Sequence, residues 1–251
     1  MMSAEHEGIA GVTFGSDGHR LAGILYLARG AAAKPTALLL HGCPGLEQNL
    51  DLASSLRERG WNALVFHYRG SWGSAGEYDL CTVVEDVRAA VDHLQEAAYQ
   101  GVDPARLAVF GHSLGGWAAI QAAAADSRLK GAIACATVTG LGGLALLPAD
   151  VIEREFTRFL RTTPQQFVRQ AQQVDTRPGP LDVVAAIAPR PLLVIHGSDD
   201  EWVPAAQGRQ LFERAGEPRR HVVIAGANHA FSWHRAQLRD LVGGWLTETG
   251  I

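Results

Sequence analysis

The stretch that most constrains this chain is Leu107-Ala108-Val109-Phe110-Gly111-His112-Ser113-Leu114-Gly115-Gly116-Trp117-Ala118-Ala119. It opens as a short apolar run of strand type and closes as an Ala-rich run of helix type. Between the two stands Gly111-His112-Ser113-Leu114-Gly115. A strand that turns at once into a helix forces the corner residue into a strained backbone conformation. Gly111 and Gly115 remove the Cβ atoms that would collide as the two arms pass. The corner residue stands proud of the sheet edge, and here it is a serine. The amides after it lie at a helix N-terminus, where unpaired N–H groups and the positive end of the dipole favour an anion. A hydroxyl with an anion site beside it is what acyl transfer needs. Gly-x-Ser-x-Gly is a short pattern, and its weight here comes from flanks that fit on both sides.

Such a corner needs a sheet around it, and 251 residues with 47% hydrophobic content can bury a substantial core. A net charge of −4 with no basic block argues against nucleic acid or an anionic membrane as partner. Met1–Glu7 shows no basic region followed by an apolar one, and no apolar run approaches a membrane span. Cys43, Cys81 and Cys135 are far apart and odd in number, so free thiols and a cytoplasmic location are expected.

Read in order, Ile9–Phe14 and Leu21–Ala28 are strand runs joined by the turn residues Gly15-Ser16-Asp17-Gly18. Thr36–Leu40 is a run without alternation, as in a strand buried on both faces. Leu46–Arg59 is predicted as a helix stopped by Gly60, Trp61–Tyr68 as a strand, and Thr82–Ala98 as a long amphipathic helix. After the central strand and helix come a strand at Gly131–Ala136 and then a break in the rhythm at 137–189. Two helical stretches are predicted there. One begins near Pro148 and carries Val151, Ile152, Phe156, Phe159 and Leu160; the other begins at Thr163-Pro164-Gln165-Gln166, a capping box with proline at the first helical position. Glu153, Arg154, Glu155, Arg158 and Arg161 read as the solvated face of this segment. Strand Pro191–Ile195, helix Pro204–Ala215, strand His221–Ile224 and helix Phe231–Thr247 complete the chain. The fold class is therefore α/β, a doubly wound, mostly parallel sheet with helices on both faces and an antiparallel N-terminal edge hairpin. Residues 1–251 are expected as one domain, with 137–189 a small helical lid insertion.

A serine hydroxyl needs a base in contact with it, and in a parallel open sheet functional groups gather at the carboxyl ends of the strands. His196-Gly197-Ser198-Asp199-Asp200-Glu201-Trp202-Val203-Pro204 follows one strand, and Gly226-Ala227-Asn228-His229 follows the next.

With these runs and His41-Gly42-Cys43-Pro44-Gly45 after an early strand, the chain resembles the α/β-hydrolase superfamily of serine hydrolases, in its esterase and dienelactone-hydrolase-like branch. The likeness runs from about residue 20 to the end apart from 137–189, and its weight comes from four short motifs in the right order. The resemblance implies Ser113 as nucleophile, His229 as general base and then acid, and Asp200 as the residue that orients the imidazole. Asp199 is the adjacent rival; the fifth place in the run from His196 selects Asp200. The N–H of Leu114 and the backbone N–H of Cys43 are the expected oxyanion donors, Pro44 having none. The Cys43 thiol lacks a second base and is not read as a nucleophile. His221 lies at the wrong end of a strand and His234 in the last helix. His41, His67, His112 and His196 are read as structural or pocket-lining. No metal-ligand spacing is present, and neither cofactor nor metal is expected. Tyr68-Arg69-Gly70-Ser71-Trp72-Gly73-Ser74-Ala75-Gly76 resembles a further loop of the family, but Trp72 stands where relatives have glycine. Arg69 and Ser74 are expected to hold this loop, and Trp72 either lines the pocket or packs structurally. Trp72, His112 and Trp202 are the pocket candidates.

The implied activity is cleavage of carboxylic esters through an acyl-serine. Thioester hydrolysis and acylaminoacyl-type peptide cleavage use the same residues, though the peptidases usually carry a large accessory domain for which this chain leaves no room. A cofactor-free perhydrolase or lyase, or a non-catalytic binding protein, stands further off. A dehalogenase would carry Asp at 113. The small insertion suggests small or short-acyl substrates.

Overall fold

The computed structural model describes residues 8–96 and 101–251. Among these, β1 Ile9–Ser16, β2 His19–Tyr26, β3 Lys34–Leu40, β4 Asn62–Phe66, β5 Val102–His112, β6 Leu129–Cys135, β7 Leu192–Gly197 and β8 Arg219–Ile224 form one sheet. Its order is β1-β2-β4-β3-β5-β6-β7-β8. β1 and β2 run antiparallel to each other, β2 antiparallel to β4, and every other neighbouring pair is parallel. The edge hairpin closes through Asp17 and Gly18, both at positive φ, 45° and 76°, the two-residue turn whose twist suits paired strands.

The non-alternating apolar runs are explained by helices on both faces. Leu38 and Leu40 of β3 and Val109 of β5 pack with Val87 and Ala90 of α2 (Val83–Glu96) and Ala119 of α3 (Leu114–Ala125). Their sequence neighbours Leu39 and Phe110 point the other way, to Leu56 of α1 (Leu50–Glu58) and Leu246 of α8 (Arg235–Thr249). Each fully buried leucine contributes roughly 2 kcal/mol of burial energy, so both faces of the central strands bind the sheet between two helical layers.

Two helices begin later than predicted. α1 starts at Leu50, because Asn49 takes a left-handed conformation (φ 58°) and its N–H donates to Glu47 Oε1 at 2.9 Å. α8 starts at Arg235; before it, Phe231 is buried at φ 56° in a turn closed by Phe231 N–H to Asn228 O, 3.0 Å. The predicted end of α2, at Ala98, lies outside the described residues.

Between β6 and β7 the segment 137–189 contains no ladder strand, as predicted, but it is more broken than two helices. A 3-10 turn at Gly142–Leu146 leads to α4 (Ala149–Ile152), a π turn at Glu153–Thr157, α5 (Pro164–Val174), α6 (Pro180–Val183) and a 3-10 turn at Val184–Ile187. α5 has the predicted capping box, with Gln166 N–H donating to Thr163 Oγ1 at 3.2 Å and Thr163 N–H to Gln166 Oε1 at 3.0 Å. α7 (Ala205–Arg214) follows β7. Because β3, β5, β7 and β8 are parallel, the loops that follow them meet at one edge of the sheet.

Candidate active site

At the end of β5 the chain turns into α3 at Ser113, whose φ of 58° and ψ of −119° are strained for a residue with a side chain. Close passage of the two arms allows this corner only with glycines beside it. A Cβ on Gly111 would sit 1.9 Å from Gly115 O, and one on Gly115 2.2 Å from Leu40 O. Gly42, in the loop after β3, approaches so closely that its Cβ would lie 2.9 Å from Ser113 Cβ. Leu114 follows this serine and Cys43 follows Gly42, both line the cavity with Ser113, and neither of their N–H groups donates to an acceptor among the described residues.

His229 and Asp200 come from the loops after β8 and β7. His229 Nδ1–H donates to both Asp200 oxygens at 2.9 Å. A carboxylate accepts only, so the neutral imidazole keeps its lone pair on Nε2. The Asp200 side chain is 1% exposed. It also accepts from Trp202 N–H at 3.0 Å and Val203 N–H at 2.7 Å, and His196 Nε2 lies 3.3 Å away. Burial disfavours its charge, but the bonds from His196 and His229, the His229 charge and the Val203 amide outweigh it and hold the carboxyl well below its usual range. Asp199 is exposed and takes the Ser198 hydroxyl at 2.6 Å instead. The two loops are stitched by Asp199 N–H to Ala227 O (3.0 Å), Gly226 N–H to Ser198 Oγ (2.8 Å) and His229 N–H to Glu201 Oε2 (3.0 Å).

Ser113, Leu114, Cys43 and His229 face one cavity of about 590 Å³. His112 and Trp202 line it. His112 Nε2–H donates to His229 O at 2.8 Å, and burial, then the His229 charge, lower its pKa to about 3 against the bond to His229 O. Trp72 lies outside the lining: its indole N–H donates to Pro44 O at 3.0 Å and its ring stacks on Phe159 at 5.3 Å. It braces the loop that carries Cys43. Arg69 bonds Asp86 Oδ1 at 2.7 Å, and Ser74 Oγ donates to His67 O, so both hold their loop as predicted. His41 Nδ1–H donates to Gly42 O at 2.8 Å, and burial with His67 nearby lowers its pKa to about 4. The Cys43 thiol contacts Tyr78 OH at 3.1 Å and is pushed up to about 12 by burial, so it is inert as a nucleophile. His221 stacks on Phe212, and His234 is the N-cap of α8 rather than inside it.

The cavity wall includes residues that motif reading passed over: Glu47, Leu80, Phe156, Phe167, Glu201 and Gln207. Glu155 also lines it, correcting its reading as part of a solvated face. Arg161 is exposed, as read, and its guanidinium also donates to Ser74 O. Glu201 was within reach of sequence reasoning, being next to Asp200; the others carry no local pattern. Among the described residues no group of three His, Cys, Asp or Glu is placed to hold a metal, and no helix is long and apolar enough to cross a membrane.

Comparison with known proteins places this geometry. The model of the prolyl oligopeptidase family matches residues 49–245. The chain belongs to that family. The chain is 30% identical over 242 residues to the uncharacterized protein Rv2307c of Mycobacterium tuberculosis (strain ATCC 25618 / H37Rv), covering 94% of this chain and 78% of that one. It is 27% identical over 237 residues to the uncharacterized protein YfhR of Escherichia coli (strain K12), covering 90% and 77%. The crystal structure of the esterase domain from a Rhodothermus marinus protein superposes with a TM-score of 0.71 at 27% identity, covering 94% of this chain and 97% of that one. This prolyl oligopeptidase family member is a serine hydrolase of the α/β-hydrolase superfamily.

Proposed function

We propose that this serine hydrolase is a carboxylesterase acting through an acyl-Ser113 intermediate. The observation that carries the reading is His229, its Nδ1–H fixed on a buried Asp200 and its other nitrogen left for the cavity that Ser113 faces. His229 takes the Ser113 proton as Oγ attacks the ester carbonyl, and the Leu114 and Cys43 N–H groups receive the oxyanion. As the tetrahedral adduct collapses, His229 protonates the departing alcohol; water, activated by the same imidazole, then releases the acid. Asp200 holds the imidazole's tautomer and supports its charge. Of the carboxylates in the cavity wall, Glu47 is paired with Arg235 at 3.6 Å and Glu155 with Arg154 at 2.7 Å, while Glu201 accepts the His229 N–H. The wall contributed from 137–189 supports a lid role for that segment. Free Cys43, Cys81 and Cys135 suit a cytoplasmic location.

Fluorophosphonate labelling followed by mass spectrometry tests this: the label belongs on Ser113, and Ser113→Ala should abolish ester turnover. Label elsewhere, or turnover unchanged in that variant, overturns the assignment. The family match favours a second reading, amide cleavage by the same residues. Parallel rates on alkyl esters, thioesters and aminoacyl anilides separate the readings.

A further inference from the structure

Building on the ester-hydrolase reading, we propose that Phe156 and Trp202 form a subsite for an aromatic ring carried by the substrate. The cavity, about 590 Å³, lies within the range of pockets that enclose drug-sized ligands, well beyond what a short acyl group fills. This departs from the short-acyl expectation raised by the insertion's small size.

One wall of the cavity is aromatic and layered. Phe156 meets Trp202 edge-to-face, with centroids 5.6 Å apart at 85°. Behind it Phe167 stacks at 6.1 Å, and Tyr78 stacks on Phe167 at 6.2 Å. Phe167 and Tyr78 are each 1% exposed and form a fixed backing, whereas Trp202 is 46% exposed although it lines the cavity. A large apolar ring left open at a cavity wall is an unfilled contact surface. Rings at these separations accept a further ring in offset or edge-on geometry. Phe156 reaches the cavity from the π turn Glu153–Thr157, and such turns recur at functional sites. Trp202 comes from the loop of Asp200. The two rings therefore join the insertion to the chemistry-bearing loop at the place where a substrate would lie.

The test uses the full chain and three neutral esters, ethyl acetate, ethyl 3-phenylpropanoate and benzyl acetate, followed by acid release. The wild type should favour at least one of the two phenyl-bearing esters over ethyl acetate by about 10-fold or more in kcat/KM, chiefly through KM. Phe156→Ala and Trp202→Ala should each lower that ratio by about 10-fold, and Phe156→Leu, which keeps an apolar filler, should lower it less. No preference for a phenyl-bearing ester in the wild type, or a ratio that survives both alanine variants, overturns the subsite. A general structural defect would depress all three rates and leave the ratio in place, which also counts against it. Calorimetric titration of Ser113→Ala with benzyl acetate separates the two claims. Binding that weakens when Phe156→Ala is added supports the subsite even if no ester is turned over, and binding indifferent to it overturns the subsite even if esters are cleaved.

Discussion

The sheet-edge loops and the segment 137–189 share one cavity, but they are held in place by different kinds of contact. At the edge, backbone meets backbone. A Cβ on Gly111 or Gly115 would come within 1.9 or 2.2 Å of a carbonyl oxygen, and Asp200 is gripped by the Trp202 and Val203 amides as well as by His229. Among the described residues the insertion has one backbone tie to that framework, at Leu160–Arg161, where Arg161 N–H donates to Gly70 O at 2.7 Å and Arg161 O accepts Tyr78 N–H at 2.9 Å; its part facing the cavity is held by side chains, with Phe156 stacked on Phe167 and edge-to-face with Trp202. Bond-making chemistry tolerates little displacement, so its residues sit where the main chain leaves no freedom. A binding wall needs only shape and apolarity, and many sequences supply those.

The widest contrast to break is at Ser113 and His229. Ala at either position is expected to lower kcat by about 10⁴-fold or more in a steady-state ester assay. Asp200→Asn, which disturbs the tautomer, should lower it by roughly 10⁴-fold, while Asp199→Asn should change it by no more than about 3-fold, since Asp199 bonds the Ser198 hydroxyl and not His229. Equal losses in the two Asn variants would show that the loop, and not the Asp200–His229 bond, matters.

Gly115→Ala tests the backbone claim directly. With Leu40 O 2.2 Å from the new methyl, a destabilisation of about 3 kcal/mol or more is expected in urea unfolding. A variant as stable as the wild type would mean the corner can open.

Acid should loosen the same edge. His41 and His112, 1% and 4% exposed, have folded pKa values lowered from 6.5 to about 4 and about 3, by burial first and then by the positive charge of a neighbouring histidine. Both are neutral in either state well above pH 6.5. As pH falls below that value the unfolded chain takes up protons that the folded chain refuses, so stability drops, by about 1 kcal/mol per pH unit per histidine, down toward the folded values. Asp200, with its pKa held low, adds a further loss only below the ordinary carboxylate range. Urea midpoints at pH 7, 6 and 5 should decline in order; a flat series would show these rings to be hydrated.

The smallest effect belongs to the insertion. Thr163→Ala removes the α5 cap and should destabilise that helix by about 1 kcal/mol, seen as faster amide exchange in 164–174 with β5 and β7 unaffected. Exchange that rises equally across the sheet would show the two regions to be one cooperative unit.

Most of the sheet was legible because buried parallel strands are short apolar runs; the Thr163 capping box in the insertion and the Asp17–Gly18 turn of the edge hairpin were legible from their own local chemistry. Helix starts at Leu50 and Arg235 were not, since positive φ at Asn49 and Phe231 has no composition cue. The placement of Trp72, left open by its sequence, follows from the Pro44 carbonyl and the Phe159 ring, both distant in the chain.

By itself the sequence determined an α/β chain with a serine on a strained strand-to-helix corner and candidate partners after later strands. Those are local properties, written in neighbouring residues whose sterics and hydrogen bonding act over a few positions. Only the tertiary structure decided that His229 meets Asp200 and not Asp199, that Trp72 braces a loop while Trp202 and Phe156 face the cavity, and that Glu155 turns inward. Such choices depend on where separate elements come together, and pairs tens of residues apart leave no periodicity to read.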